Sequence, residues 1–485
     1  MTIKDLKPTG VWSAFHSLTQ IPRPSGHTEA VAAFLVDFAN SNGAKGRIDE
    51  IGNVIMEVEA TPGYENAKTV ILQAHMDMVP QKTPDSKHNF ETDPIETWID
   101  GDWLKAKNTT LGADDGMGVA IAMAIVADKT IPHGPLEILV TKDEETGMYG
   151  AFGLKEDELK GNMLINIDSE TEGELTIGCA GGTDINATLE YQEEDAPADS
   201  VIMKVILTGL LGGHSGLEIN ESRANANKLM ARVLFATVNK GMALISSWTG
   251  GNMRNAIPRD GEVVVAVCKD KVETFCAEVE KIAQIFKEEY KDKEKNLSLT
   301  IETIPSASVK VIPEAIGINL VNAVMAARDG VMRYIPTIPE IVETSCNFSI
   351  ITIGGGKAEF SLLARSASDT MKQCYCDELT ACFSMAGMKV VLSGSYSGWN
   401  PNPSSSLLAE MKDVYNKMYG VEAKVLVVHA GLECGIFGPK YPKMEMVSVG
   451  PTLLSPHTPS ERCFIPSVEK SFNYICEVLK ALAEK

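Results

Sequence analysis

The chain is 485 residues long, with 44% hydrophobic and 22% charged residues, so it has the composition of a globular protein and more length than one core usually supports. A formal net charge of −21 argues against nucleic acid or an anionic membrane surface as partner, because a polyanion would repel it. The ten cysteines are scattered, with only Cys374-Tyr375-Cys376 close together, which argues against a zinc ribbon or a small disulfide framework and fits reduced thiols.

Val11 to Leu18 has helical spacing and leads into a Pro/Gly-punctuated turn, Ile21-Pro22-Arg23-Pro24-Ser25-Gly26. Met1 to Gly10 before it is polar and lacks the apolar core of a signal peptide. No apolar run is long enough to span a bilayer, so a cytoplasmic location is expected. A helix is predicted from Glu29 to Asn40, stopping near Asn42-Gly43. A short alternating run at Asn53 to Val58 precedes a buried strand at Thr69 to Ala74. His75 and Asp77 follow, two residues apart, and share one face of an extended chain. Pro80 to Asn108 reads as a polar, irregular surface excursion. A Gly/Ala/Met/Val helix is predicted from Met117 to Ala127, then strands at Leu136 to Thr141 and Met163 to Ile167. Strands alternating with helices indicate an α/β layer architecture.

The composition changes after Cys179-Ala180-Gly181-Gly182. Strands are predicted at Val201 to Leu207, Glu262 to Val267 and Leu297 to Thr303, with helices at Glu221 to Val238 and Val272 to Tyr290. A similar pattern returns with helices at Ile316 to Ala327 and Ser368 to Met385 around strands at Asn347 to Thr352 and Glu359 to Ala364, which suggests an α+β insertion of two related halves. Beyond Trp399-Asn400-Pro401-Asn402-Pro403 the pattern is a helix at Ser406 to Tyr419, a strand at Lys424 to Val428 and an amphipathic helix at Val468 to Glu484 that begins after the breaker Pro466. The expected organisation is a first domain built from 1–185 and 397–485, with 186–396 inserted.

Acids and imidazoles stand where the predicted strands end, the place at which open α/β sheets put their ligand crevice. They are His75-Met76-Asp77, Gly112-Ala113-Asp114-Asp115-Gly116, Glu144-Glu145, Asp168 and, far downstream, Ser455-Pro456-His457-Thr458. Taken singly, a strand-end histidine is more often structural, Asp-Asp-Gly more often a turn, and Glu-Glu more often a solvated loop. Their recurrence beside apolar runs points to a metal site, since zinc accepts imidazole nitrogen and carboxylate oxygen.

This motif set, with Gly147 after the Glu pair, resembles the co-catalytic di-zinc peptidases that include carboxypeptidase G, peptidase T and the carnosinases. Gln73-Ala74-His75-Met76-Asp77-Met78-Val79-Pro80-Gln81-Lys82 and Leu211-Gly212-Gly213-His214-Ser215-Gly216 extend the resemblance over nearly the whole chain, most closely to members acting on aminoacyl-histidine dipeptides. The fold so implied is α/β: a mixed-sheet catalytic domain with helices on both faces, plus an inserted α+β lid and dimerisation domain. By the same resemblance His75 and Asp168 bind one Zn2+, Glu145 and His457 the other, and Asp114 bridges them, with a cis bond between Asp114 and Asp115. Co2+ and Mn2+ are the possible substitutes.

Asp77 matches the residue that orients the ligand imidazole, and Glu144 matches the general base that works with a hydroxide held between the metals. Zinc can bring bound water to a pKa of roughly 7. His214, Asn255 and Arg365 match groups that hold the substrate, His214 from across a dimer interface. Arginine suits a terminal carboxylate because its planar fork meets both oxygens. Many relatives carry Gly-Gly-Thr or Gly-Gly-Gly where this chain has His429-Ala430-Gly431-Leu432-Glu433-Cys434-Gly435, a variant that favours the aminoacyl-histidine subgroup over carboxypeptidases. In it Gly431 offers backbone to the substrate and Glu433 a partner for a free amino group.

The resemblance implies a homodimeric enzyme cleaving small peptides, preferentially Xaa-His dipeptides such as β-alanyl-histidine. Two kinds of alternative remain at this point. One is a broad dipeptidase, aminotripeptidase or N-acyl amino acid hydrolase of the same family. The other is a non-catalytic dimeric binding protein with the same fold, which predicts a missing base or ligand, and none is missing. A structural zinc protein would need the closed cysteine-rich coordination that the spacing lacks.

Overall fold

The computed structural model describes residues 2–305 and 309–485. The chain divides into two compact units: Met1–Gly178 with Trp399–Val427 and Leu432–Lys485, and Cys179–Gly398 with Val428–Gly431.

In the first unit the apolar runs form an eight-stranded mixed sheet. Its order is Lys45–Ile48, Val54–Val58, Leu136–Thr141, Val70–His75, Met163–Asn166, Glu445–Ser448, Glu174–Cys179 and Lys424–Val428. Val70–His75 runs parallel to both of its neighbours, and Met163–Asn166 is also parallel to Glu445–Ser448. These central strands are buried along their length, which is why they read as mainly apolar runs rather than alternating ones. Helix Ala113–Ala127 is buried on nearly every side, so its Gly/Ala-rich sequence lets neighbouring backbone approach closely.

Two expectations change here. Pro80 to Asn108 is not wholly irregular: Thr97–Asp100 and Trp103–Ala106 form a hairpin that turns at Gly101, whose φ is +58°. Arg462–Phe464 pairs with Trp103–Lys105, and Leu453–Leu454 pairs with Arg462–Phe464 in turn, which ties the loop of His457 to the hairpin. The last helix spans Ile465–Ala483, so Pro466 lies in its first turn. Proline is tolerated there because that N–H has no helical acceptor.

The second unit is organised on a nine-stranded sheet whose pairings are all antiparallel. Its centre is the long strand Ile338–Gly354, paired with Lys357–Ser366 on one side and with Ala243–Gly250 and Gly330–Ile335 on the other. Trp248, Phe275, Phe286, Phe348, Phe360 and Phe383 fill the core together with helices Ala226–Thr237, Val272–Glu289, Glu314–Ala326 and Asp369–Met385. The first of these helices starts later than Glu221 because Ser222 has a φ of +59° and Asn225 caps the helix, its side chain accepting from the amides of Asn227 at 3.0 Å and Lys228 at 3.3 Å.

Candidate active site

Val70–His75, Leu136–Thr141 and Met163–Asn166 lie side by side and end at one edge of the first unit's sheet. His75 closes its strand and Asp77 follows, Glu144 and Glu145 lie in the loop after Thr141, and Asp168 stands just past Asn166. Asp114 comes from the start of helix Ala113–Ala127, where it and Asp115 have non-helical backbone angles and the bond joining them is cis. The sequence expected this helix only from Met117; the earlier start places Asp114 in its first turn. His457 lies on the loop between Leu453–Leu454 and Arg462–Phe464, at a φ of +59°.

Asp114 sits between the two imidazoles. Its Oδ1 is 3.2 Å from His75 Nε2 and its Oδ2 is 3.0 Å from His457 Nε2. Each ring meets one further carboxylate: Asp168 Oδ1 is 3.5 Å from His75 Nε2, and Glu145 Oε2 is 2.9 Å from His457 Nε2. Ligand atoms at the usual zinc distances stand about 3.3 Å apart around a tetrahedral ion, so both sets have the spacing of groups that share a cation. The donors are imidazole and carboxylate only, and Glu145 Oε1 is buried without a hydrogen-bond partner among the described residues. This donor set fits divalent cations.

The electrostatics show the strain of packing these acids together. Burial is the main cause holding Glu144 well above the ordinary carboxylate range, with the charges of Asp168, Glu145 and Glu433 adding to it. Burial also lifts Asp168 to about 6. It works to raise Asp114 as well, but the hydrogen bonds with His457 and His75 more than reverse this. His457 goes up to about 11 because Asp114 and Glu145 both hydrogen-bond to it.

Asp77 ties the cluster together. Its Oδ1 lies 3.4 Å from His75 Nδ1 and accepts from the Glu144 amide at 3.0 Å; its Oδ2 accepts from Ser25 Oγ at 2.7 Å and from the Glu145 amide at 3.3 Å. Burial pushes this carboxyl up, and those bonds outweigh it, so the group is held below its ordinary value.

The first unit thus brings together His75, Asp77, Asp114, Glu144, Glu145, Asp168 and His457. His214, Asn255, Arg365 and Gly431 belong to the second unit. There Gly213–His214 pairs with Ala256–Ile257, and the Ser215 amide donates to the Asn255 carbonyl at 2.8 Å, so His214 and Asn255 lie on adjoining paired segments. His214 Nδ1 accepts from the amides of Gly216 at 3.2 Å and Leu217 at 3.0 Å. Arg365 is buried, donates to the Tyr396 hydroxyl at 3.1 Å and keeps its Nε without a hydrogen-bond partner among the described residues. Burial, then the charge of Arg365, pushes the nearby His429 down to about 3, and its Nε2 is 2.7 Å from Ser345 Oγ.

Glu433, offered by the sequence as a partner for a free amino group, has its Oε2 committed within the protein while its Oε1 has no hydrogen-bond partner among the described residues. It is fully enclosed in the first unit, where its Oε2 accepts from Gln73 Nε2 and the Thr141 hydroxyl, each at 2.6 Å. Burial pushes it up to about 8. Sequence reasoning also passed over Arg23, Ser25 and Glu461. Arg23 and Ser25 sit in a stretch read only as a turn, and Glu461 four residues past His457 carried no signal of its own.

The model of peptidase family M20/M25/M40 matches residues 71–481. The chain is 40% identical over 483 residues, covering 100% of it and 99% of the relative, to the cytosol non-specific dipeptidase of Escherichia coli K12. A crystal structure of aminoacylhistidine dipeptidase from Vibrio alginolyticus superposes with a TM-score of 0.92 at 40% identity, covering 99% of this chain and 98% of that one. A tripeptidase from Staphylococcus aureus shares the fold, with a TM-score of 0.58 at 16% identity over 99% of this chain and all of that one. A match of this extent, on a chain whose acids and imidazoles converge at the sheet edge, means that the protein belongs to peptidase family M20/M25/M40 and is a hydrolase acting on peptide bonds.

Proposed function

We propose that the protein is a cytoplasmic metallodipeptidase that prefers Xaa-His substrates such as β-alanyl-histidine. The observation that carries this reading is Asp114, whose two oxygens each face a different imidazole, each imidazole having its own second carboxylate. In this reading His75 and Asp168 hold one Zn2+, Glu145 and His457 hold a second, and Asp114 serves both, with Co2+ or Mn2+ as substitutes. When bound, such ions polarise a carbonyl and make water a stronger acid.

The chain's own residues do the rest. Asp77 fixes the tautomer of His75 from Nδ1, leaving Nε2 as the donor. Glu144 takes the proton of the attacking water and passes it to the departing amine. Gly431, beyond the inserted segment, offers its backbone to the peptide; within that segment His214 supports the developing oxyanion, Asn255 aligns the peptide and Arg365 receives the terminal carboxylate. That segment serves as lid and dimer contact in a homodimer.

The names of the two relatives at 40% identity support a dipeptidase and favour different breadths of specificity. A broad dipeptidase is therefore the second reading. The test is hydrolysis of β-alanyl-histidine, other Xaa-His dipeptides, dipeptides without histidine, tripeptides and N-acetyl amino acids, before and after chelation. Full activity in metal-free protein would overturn the metallopeptidase assignment, and equal kcat/KM across dipeptides would replace the Xaa-His preference by the broader one.

A further inference from the structure

The Asp114 loop is gripped from both sides by buried groups of opposite charge. Glu461 accepts four consecutive amides: Leu111 at 2.7 Å and Gly112 at 3.0 Å on Oε2, Ala113 at 2.8 Å and Asp114 at 3.2 Å on Oε1. With both oxygens doubly occupied by N–H donors, neither has room for a proton, so the group acts as a carboxylate. Arg23 takes the other polarity. Its Nη2 donates to the Gly112 carbonyl, while its Nη1 donates to the carbonyls of Met76 at 2.9 Å and Asp77 at 3.0 Å. Both side chains are 2% exposed.

The glycines of Gly112-Ala113-Asp114-Asp115-Gly116 exist in this context to admit the arginine. A Cβ on Gly112, whose φ is +68°, would stand 2.7 Å from Arg23 Nη2 and 2.8 Å from Met78 Sδ, and a Cβ on Gly116 would meet Arg23 Nη2 first of all. The motif read from sequence as a turn around an acid is thus a backbone surface shaped for a buried cation.

These contacts join segments that are remote in the chain. Glu461 lies on the loop that carries His457, so its four bonds tie that loop to Asp114. Arg23 ties Asp114 to the strand end that carries His75 and Asp77. From this geometry we infer that Arg23 and Glu461 are paired positioning residues that set the spacing of Asp114 against both imidazoles, and thereby the affinity for the cations. The inference rests on the proposed role of Asp114 as a ligand shared by two ions.

The test uses the full chain, stripped of metal and titrated with Zn2+ and separately with Co2+, whose visible absorption reports ligand geometry. Glu461→Gln keeps the volume but opposes amide donors with an amide N–H. Zn2+ affinity should fall about 10–100-fold at one or both sites, the range usual when a group orienting a ligand is removed, and the Co2+ spectrum should change. Arg23→Lys reaches fewer carbonyls and should act in the same direction. The double variant should lose less than the product of the single losses, because both groups hold one loop. kcat should fall more than KM rises.

Wild-type Zn2+ affinity and Co2+ spectrum in both single variants, even with a lowered melting temperature, would overturn the inference and leave the pair as fold stabilisers. Should Glu461→Gln fail to fold by circular dichroism, Glu461→Asp and Arg23→Lys decide by the same readouts. Asp114→Asn separates the two levels: if it binds both ions like wild type, the ligand assignment itself fails; if it loses them while Arg23 and Glu461 variants do not, only the positioning inference does.

Discussion

Replacing Asp77 by asparagine isolates what one buried carboxylate does for the residues around it. Asparagine keeps the shape and substitutes an NH2 for one oxygen. With the NH2 at the Oδ1 position it opposes the Glu144 amide, 3.0 Å away, and the imidazole nitrogen of His75 at 3.4 Å. With the NH2 at the Oδ2 position it opposes the Glu145 amide at 3.3 Å, while Ser25 adapts by rotating its hydroxyl from donor to acceptor. The second orientation costs less, yet it still strands one enclosed N–H. An unsatisfied buried donor costs about 1–3 kcal/mol, which corresponds to roughly a 5- to 150-fold effect. The loss falls on the backbone that aims Glu144 and Glu145, so kcat/KM on β-alanyl-histidine should drop by about 10–100-fold, with weaker metal retention on dialysis. Turnover within twofold of wild type, with an unchanged metal count, would refute the idea that Asp77 works by holding both the ring and the two glutamate amides.

Glu144→Gln should keep its metal and lose about 10²–10⁴ in kcat, the usual contribution of a positioned general base; elemental analysis beside steady-state kinetics checks it. Asp114→Ala should lose both metal and turnover, measured in the same way. His429 gives a pH prediction in the second unit. Its folded pKa, pushed down to about 3 by burial and then by Arg365, lies below the ordinary value of 6.5. The unfolded chain therefore binds the extra proton first as the solution is acidified, and stability is lost as pH falls from about 6.5 toward 3, at up to about 1.4 kcal/mol per pH unit. Urea denaturation across that window should show the slope, and His429→Gln should flatten it.

The parts of the fold that were legible in sequence are those where one element satisfies one rule. Val70–His75, Leu136–Thr141 and Met163–Asn166 are buried on both faces, so they read as mainly apolar runs without an exposed polar face, and the acids beyond them stand out because an acid beside a buried run needs a partner. The hairpin of Thr97–Asp100 and Trp103–Ala106 is hidden because its strands are only four residues long and partly exposed, so they carry no buried apolar run. The helix expected from Glu221 is cut short by a backbone reversal at Ser222 and a cap at Asn225, a residue type that favours helix starts over helix interiors. Arg23 and Glu461 were illegible for another reason. They bind backbone groups, and a carbonyl or an amide has no letter in the sequence.

One level below the candidate ligands, the same strands carry a row of buried polar side chains that apolar packing alone does not call for. Gln73 shares a strand face with His75, two residues on, and Asn166 closes the strand two residues before Asp168. Asn166 Nδ2 donates to Gln73 Oε1, Gln73 Nε2 and the Thr141 hydroxyl donate to Glu433, and the Ser448 hydroxyl donates to Asn166 Oδ1. Leucines at these positions would fill the space and avoid the desolvation of five polar groups. What apolar contacts lack is direction, since they tolerate small slides of one strand past another. Hydrogen bonds at 2.6 Å to a fixed carboxyl do not. The row pins neighbouring strands against each other just beneath the point where His75 Nε2 and Asp168 Oδ1 come within 3.5 Å. A polar core at this depth is a cost to stability that only a site needing ångström-level registry would retain.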